Sequence, residues 1–176
     1  RHARSPSIIF SAYPAQNVNY GRGGMDVTLC STTVSHQIAL AGIKHLNRLE
    51  NVLARAEWND EFHEGLMCCP GGNIIEGTMS NVFFIDNNKL LTPLIDRCGV
   101  AGVVRRCVID VLAPQIGIEV NERDISVQHS LFINCGFMTN SVIGIVPIRS
   151  LQGRKLEMPP MIEHLQHALD VYREKA

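Results

Sequence analysis

Hydrophobic and polar positions repeat with two periods along this chain, and the change from one to the other marks out its elements. Residues 7–13 (SIIFSAY) form an apolar run of strand length and predict a buried strand. Residues 17–24 are polar and glycine-rich, hence a loop, and residues 27–32 predict a second strand. After Lys44 the period lengthens. Leu46, Leu49, Val52, Leu53 and Ala56 recur at helical spacing and predict a helix with one apolar face. Residues 66–69 then lead into Pro70-Gly71-Gly72-Asn73, a strong turn, and Ile74-Ile75 begin the return strand of a hairpin. Residues 82–86 and 89–92 flank Asn87-Asn88, a two-residue hairpin turn. A second helix is predicted from near Gly102, with Val104, Cys107, Val108, Val111 and Leu112 as its apolar stripe and Pro114 and Gly117 at its end. Residues 118–121, 131–134 and 145–148 read as strands, and Gly153 turns a short hairpin. Pro159 and Pro160 open a last helix with Ile162, Leu165, Leu169 and Tyr172 inward. Hairpins mixed with helices in this way predict a mixed α/β (α+β) domain. No G-x-G-x-x-G follows a strand, which argues against a dinucleotide fold.

Composition narrows the class without naming a chemistry. The 176 residues are 45% hydrophobic and 19% charged, which fits a globular chain and argues against disorder. A net charge of -1 makes no electrostatic case for nucleic acid or an anionic membrane. No apolar stretch approaches the length of a membrane span. The six cysteines include no C-x-x-C pair and mostly have apolar neighbours, so they read as buried, reduced thiols rather than a zinc site. No signal peptide is visible. The chain opens on Arg1 rather than methionine, which leaves a preceding or targeting segment open.

Three segments carry candidate chemistry. Lys44 stands where an extended stretch meets a helix. In a partly apolar cleft its amine would lose part of its proton and become a nucleophile toward a carbonyl, although an arbitrary lysine is most often simply solvated. Glu76, in Glu76-Gly77-Thr78-Met79-Ser80-Asn81-Val82-Phe83, joins two predicted strands, and Gly77 would let a ligand approach the backbone. A carboxylate there could hold the ring nitrogen of a pyridine-type cofactor, or could be an ordinary surface glutamate. Gly99 and Gly102 precede the second predicted helix. The free N–H groups of Val103 and Val104 at its start would form a phosphate cradle, with Arg105 and Arg106 nearby; the alternative is a plain loop with its arginines on the wet face. Met138-Thr139-Asn140-Ser141 reads as a polar loop, either completing a phosphate site or simply turning the chain.

In this order, the lysine, Glu-x-x-x-Ser-Asn-hydrophobic-Phe, Gly-hydrophobic-hydrophobic-Arg and the Thr/Ser loop before a proline resemble the class IV aminotransferases. Leu40-Ala41-Gly42-Ile43-Lys44-His45-Leu46-Asn47-Arg48-Leu49-Glu50 resembles the aminodeoxychorismate lyases within that group. The resemblance runs from about Phe10 to about Ser150. It implies the large C-terminal domain of the D-amino-acid aminotransferase-like fold over residues 1–176, with residues 1–15 as the tail of an interdomain region and a smaller N-terminal domain not included.

The same resemblance implies pyridoxal 5′-phosphate held by Lys44, with Glu76 at the ring nitrogen. The backbone amides of Val103 and Val104, with Ser141 and Asn140, would bind the phosphate, and Asn81 would brace the motif. It implies a cytoplasmic homodimer acting in folate biosynthesis. The reaction would convert 4-amino-4-deoxychorismate to 4-aminobenzoate and pyruvate. Two alternatives stay open: an aminotransferase of D- or branched-chain amino acids, and a non-catalytic cofactor-binding fragment. Arg48 and Arg105 are candidates for gripping substrate carboxylates, with surface charge as the equal alternative.

Overall fold

A computed structural model describes residues 8–14 and 23–175. Ten strands form one mixed sheet in the order β6-β5-β4-β8-β9-β1-β2-β3-β7, with β10 added beside β9. The strands are β1 (Met25–Thr33), β2 (Glu64–Cys68), β3 (Asn73–Gly77), β4 (Asn81–Asp86), β5 (Lys89–Thr92), β6 (Val120–Glu122), β7 (Ile125–Ser126), β8 (Gly136–Asn140), β9 (Gly144–Leu151) and β10 (Arg154–Lys155). The long strand β9 joins the two halves. Its first residues pair antiparallel with β8, and its last pair parallel with β1.

Alternation along the central strands buries both faces, as their near-continuous apolar runs require. Val82, Phe84, Met138, Val146 and Ile148 enter one core with Met25, Leu66 and Ile74. Phe83, Ile85, Phe137 and Ile145 enter a second core on the opposite face. That second face is covered by a long helical segment and by α5 (Pro160–Lys175), through Val104, Val108, Leu112, Ile162, Leu165 and Leu169. The Phe83 and Phe137 rings stack 4.9 Å apart at its centre. Each such side chain contributes roughly 1.5–3 kcal/mol by leaving water. A third cluster, with Val34, Ala54, Met67, Cys69, Ile75 and Cys98, lies under α1 (Leu49–Arg55).

All three expected hairpins form. Asn87 and Asn88 take φ of 48° and 62°, the left-handed backbone that a two-residue turn demands and that asparagine tolerates. Elsewhere the structure corrects the pattern. Residues 8–13 form no strand: Ile8, Ile9, Phe10 and Tyr13 are exposed, and Ser7 lies outside the described residues. Most of the glycine-rich loop at 17–24 also lies outside them. The helix expected after Lys44 starts only at Leu49 and leaves Leu46 outside it. Leu46, Leu49, Val52 and Leu53 are exposed, because this short helix turns Ala54 to the core instead. Residues 131–134 are not a strand. Ser126 Oγ accepts from the His129 N–H and starts a short helix, α4 (Val127–Ser130), which ends there. Residues 138–140 belong to β8 rather than to a loop, and Tyr172 is largely exposed. The second predicted helix is α2 (Val103–Cys107), a wider π-helical turn (Val108–Leu112) and α3 (Ala113–Gln115). Pro114 has no N–H for the carbonyl four residues back, which removes one α-helical bond at this point.

Candidate active site

The three candidate segments meet at Glu76, near the end of β3. Its carboxylate is 3% exposed. Oε2 accepts the Val100 N–H at 2.7 Å, from the loop before α2, and Oε1 receives Arg48 Nη1 at 3.3 Å, from the start of α1. Burial pushes the Glu76 carboxyl above its ordinary value, while the Val100 hydrogen bond and the charges of Arg48 and Lys44 pull it back.

Backbone geometry ties the Lys44 segment to the same place. The Gly42 N–H donates to Gly99 O at 2.9 Å, and the Ala101 N–H donates back to Gly42 O at 3.0 Å. Gly42 and Gly99 both take positive φ, 79° and 90°, and a Cβ on Gly99 would come within 2.8 Å of the Ile75 side chain. Asn81 Nδ2 donates to Val100 O at 2.8 Å, and a Cβ on Gly102 would collide with Asn81 Oδ1. Asn81 therefore clamps the loop that enters α2, and Gly102 leaves bare backbone beside it.

These contacts frame a cavity of about 430 Å³ lined by Lys44, Arg48, Glu76, Val103, Asn140 and Ser141 among others. Five of the six expected site residues are on its wall. Val104 is not: its side chain is buried in the core under α2, and it offers the site only the N–H of a helix's first turn. Asn140 is engaged on both sides. Its Nδ2 donates to Met79 O at 3.1 Å, and its Oδ1 accepts the Val142 and Ile143 N–H groups at 2.8 Å each. Ser141 follows it at the mouth of the β8–β9 turn.

Of the two candidate arginines, Arg48 faces the cavity. Arg105 is buried away from the cavity wall, its Nη2 donating to Pro93 O and pairing with Glu122 at 2.6 Å, so neither a place on that wall nor the alternative of a wet helix face holds for it. Sequence reasoning missed Asn51, although it follows Arg48 at helical spacing; its Nδ2 donates to Thr78 O at 3.1 Å. The Thr78, Met79 and Ser80 turn lines the cavity as well. The six cysteines are free thiols, and among the described residues no acidic, His or Cys cluster could hold a metal. No described helix is long and apolar enough to cross a membrane.

A family model described as amino-transferase class IV matches residues 2–151. An aminodeoxychorismate lyase of Vibrio harveyi is 33% identical over 151 residues, 84% of this chain and 55% of that protein. The crystal structure of 4-amino-4-deoxychorismate lyase from Pseudomonas aeruginosa superposes with a TM-score of 0.84 at 38% identity, covering 92% of this chain and 60% of that one. A branched-chain amino acid aminotransferase from Thermobaculum terrenum, solved in its PLP form, has a TM-score of 0.76 at 27% identity, over 86% of this chain and 50% of that one. The chain thus spans about half the length of the curated relatives it matches.

Proposed function

Because this chain belongs to the class IV aminotransferase family, we propose that its cavity takes pyridoxal 5′-phosphate and that the whole protein is an aminodeoxychorismate lyase, working as a homodimer. The donor set fits the cofactor. It comprises a primary amine (Lys44), a buried carboxylate (Glu76), bare backbone at Gly102 leading into a helix start, and the polar pair Asn140 and Ser141. The observation that carries the reading is the convergence on Glu76 of Val100 and Arg48, one from each of the other two segments. An isolated buried carboxylate is costly, and this one is paired with a cation and a backbone N–H beside a cavity that also contains an amine.

When bound, the protonated ring draws electron density from the carbon beside the substrate's amine. Lys44 would hold the cofactor through Nζ and, once released, take the proton from that carbon. Glu76 would keep the proton on the ring nitrogen, and Arg48 would keep Glu76 anionic. The N–H groups of Val103 and Val104, with the Ser141 hydroxyl, would orient the phosphate at a helix start. In the lyase reaction the substrate loses that proton and its carbon–oxygen bond to the enolpyruvyl group breaks. Pyruvate leaves, and the ring becomes aromatic as 4-aminobenzoate.

The test is borohydride reduction after exposure to pyridoxal phosphate, followed by peptide mapping. A pyridoxyl group on Lys44 alone is expected; label scattered over surface lysines would overturn the cofactor reading. Incubation with 4-amino-4-deoxychorismate should release pyruvate. Conversion of the cofactor to its pyridoxamine form by a branched-chain amino acid, without pyruvate release, would assign the transferase chemistry named in other relatives instead.

A further inference from the structure

We infer that Glu64 is a positioning residue of this site, holding three walls of the cavity in register through one turn. Glu64 opens β2 and is 2% exposed, yet its five hydrogen-bond partners are all neutral donors. Oε1 accepts from the Gly65 N–H at 3.0 Å, the Thr78 N–H at 3.0 Å and Thr78 Oγ1 at 2.5 Å. Oε2 accepts from the Met79 N–H at 3.3 Å and Ser80 Oγ at 2.7 Å. Four of these donors belong to the Thr78, Met79 and Ser80 turn on the cavity wall.

The carbonyls of that turn are taken from two other directions. Asn51 of α1 donates to Thr78 O, and Asn140 of β8 donates to Met79 O. Asn140 then holds the Val142 and Ile143 N–H groups, which shape the turn carrying Ser141. A chain of hydrogen bonds therefore runs from Glu64 through the 78–80 turn to α1 on one side and to the β8–β9 turn on the other. Charged acceptors make the stronger bonds, and a buried carboxylate satisfied mainly by one turn fixes that turn's conformation. Space does the rest: a Cβ on Gly77 would meet Ser80 Oγ, the Met138 side chain and Glu64 Cδ. The hydrogen bonds from Glu64 to the cavity wall run to the Thr78, Met79 and Ser80 turn, so its influence on a ligand passes through that turn.

The test uses the intact protein and compares wild type with Glu64→Gln and the milder Thr78→Val. Glutamine keeps the shape and one oxygen but sets an N–H group against a donor of the turn. Amide hydrogen exchange at Val142 and Ile143 should quicken about tenfold in Glu64→Gln, while Leu66 and Met67 in β2 keep their protection. Thr78→Val should move the same amides in the same direction by less. The cofactor arm rests on the proposed function. There the pyridoxal phosphate dissociation constant should rise about tenfold, with kcat changing far less than KM. Unchanged exchange at Val142 and Ile143 in both variants would overturn the inference, as would equal acceleration throughout β2. If wild type itself took up no pyridoxal phosphate, the proposed function would fall, and the exchange readout would still decide the role of Glu64.

Discussion

Arg48 and Glu76, 28 residues apart, form the ion pair that joins the start of α1 to the end of β3, with Arg48 Nη1 3.3 Å from Glu76 Oε1. The Glu76 side chain is 4% exposed and that of Arg48 21%. Burial raises the Glu76 pKa, so the folded state holds that proton more readily than the unfolded chain. The cost of burying its charge is present above the raised value and fades as the pH falls through it. Arg48→Ala removes a compensating cation and should raise the value further. The variant should be about 2 kcal/mol less stable at neutral pH. The deficit should narrow as the pH falls toward the ordinary carboxylate value of 4.5. Denaturant unfolding across that range checks this, and a deficit independent of pH would show that the pair acts by packing alone.

Lys44 is exposed on the cavity rim, so its removal should leave the fold intact. Lys44→Ala should lose the borohydride-trapped adduct and drop kcat at least about 10²–10⁴-fold, because the cofactor's anchor and the proton-transfer group are both deleted. Melting temperature should change little, because the side chain is exposed. Full turnover in this variant would remove Lys44 from the mechanism.

Burial pushes the Cys30 thiol up to about 12 and those of Cys68 and Cys98 to about 11. Iodoacetamide near pH 8 should therefore alkylate Cys68 and Cys98 on the order of a hundredfold, and Cys30 about a thousandfold, more slowly than a free thiol, and all three at ordinary rates only after denaturation. Mass spectrometry of the native protein reads this directly. Rapid modification of Cys98 would mean that the cluster under α1 opens far more often than its packing implies.

Asp26 ties β1 to β9, accepting from Arg149 Nε at 3.0 Å and Ser150 Oγ at 2.6 Å. The Arg149 hydrogen bond, chiefly, lowers its carboxyl from 3.8 to about 2. Its stabilisation is therefore full above about 3.8 and is lost as the pH falls toward about 2. Arg149 is half exposed, which limits the contribution to about 1 kcal/mol or less. Asp26→Asn should lose this at neutral pH and flatten the acid-unfolding curve between those values. An unchanged acid limb would assign it to other carboxylates.

Legibility in the sequence followed how local each cause was. Asn87-Asn88 and Gly153 announced their turns because the backbone conformation they need is a property of those residues alone. Lys44, Glu76 and the Gly102 helix start stood out as separate signals, and the structure brings them to one cavity. Glu64 carried no signal, because its five partners lie in its own strand and in a turn beginning fourteen residues later. Helical spacing at Leu49, Val52 and Leu53 correctly gave a helix, but not that it starts only at Leu49, past Leu46, nor which side it buries, since Ala54 is the residue that fits against the sheet. Ser126 is a cap that the pattern of residues 131–134 concealed.

Period and turn chemistry thus determined the hairpins, the last helix, the mixed α/β class and the residue types able to do chemistry, because each depends on neighbours within a few positions. Tertiary structure alone decided that Arg48 rather than Arg105 faces the cavity, and that Glu76 is a buried carboxyl rather than a surface one. It also decided that Asn51, Asn140 and Glu64 grip the same turn. The reason is physical: burial and pairing depend on which strands the long β9 brings side by side, and strand neighbours distant in sequence leave no periodic trace along the chain.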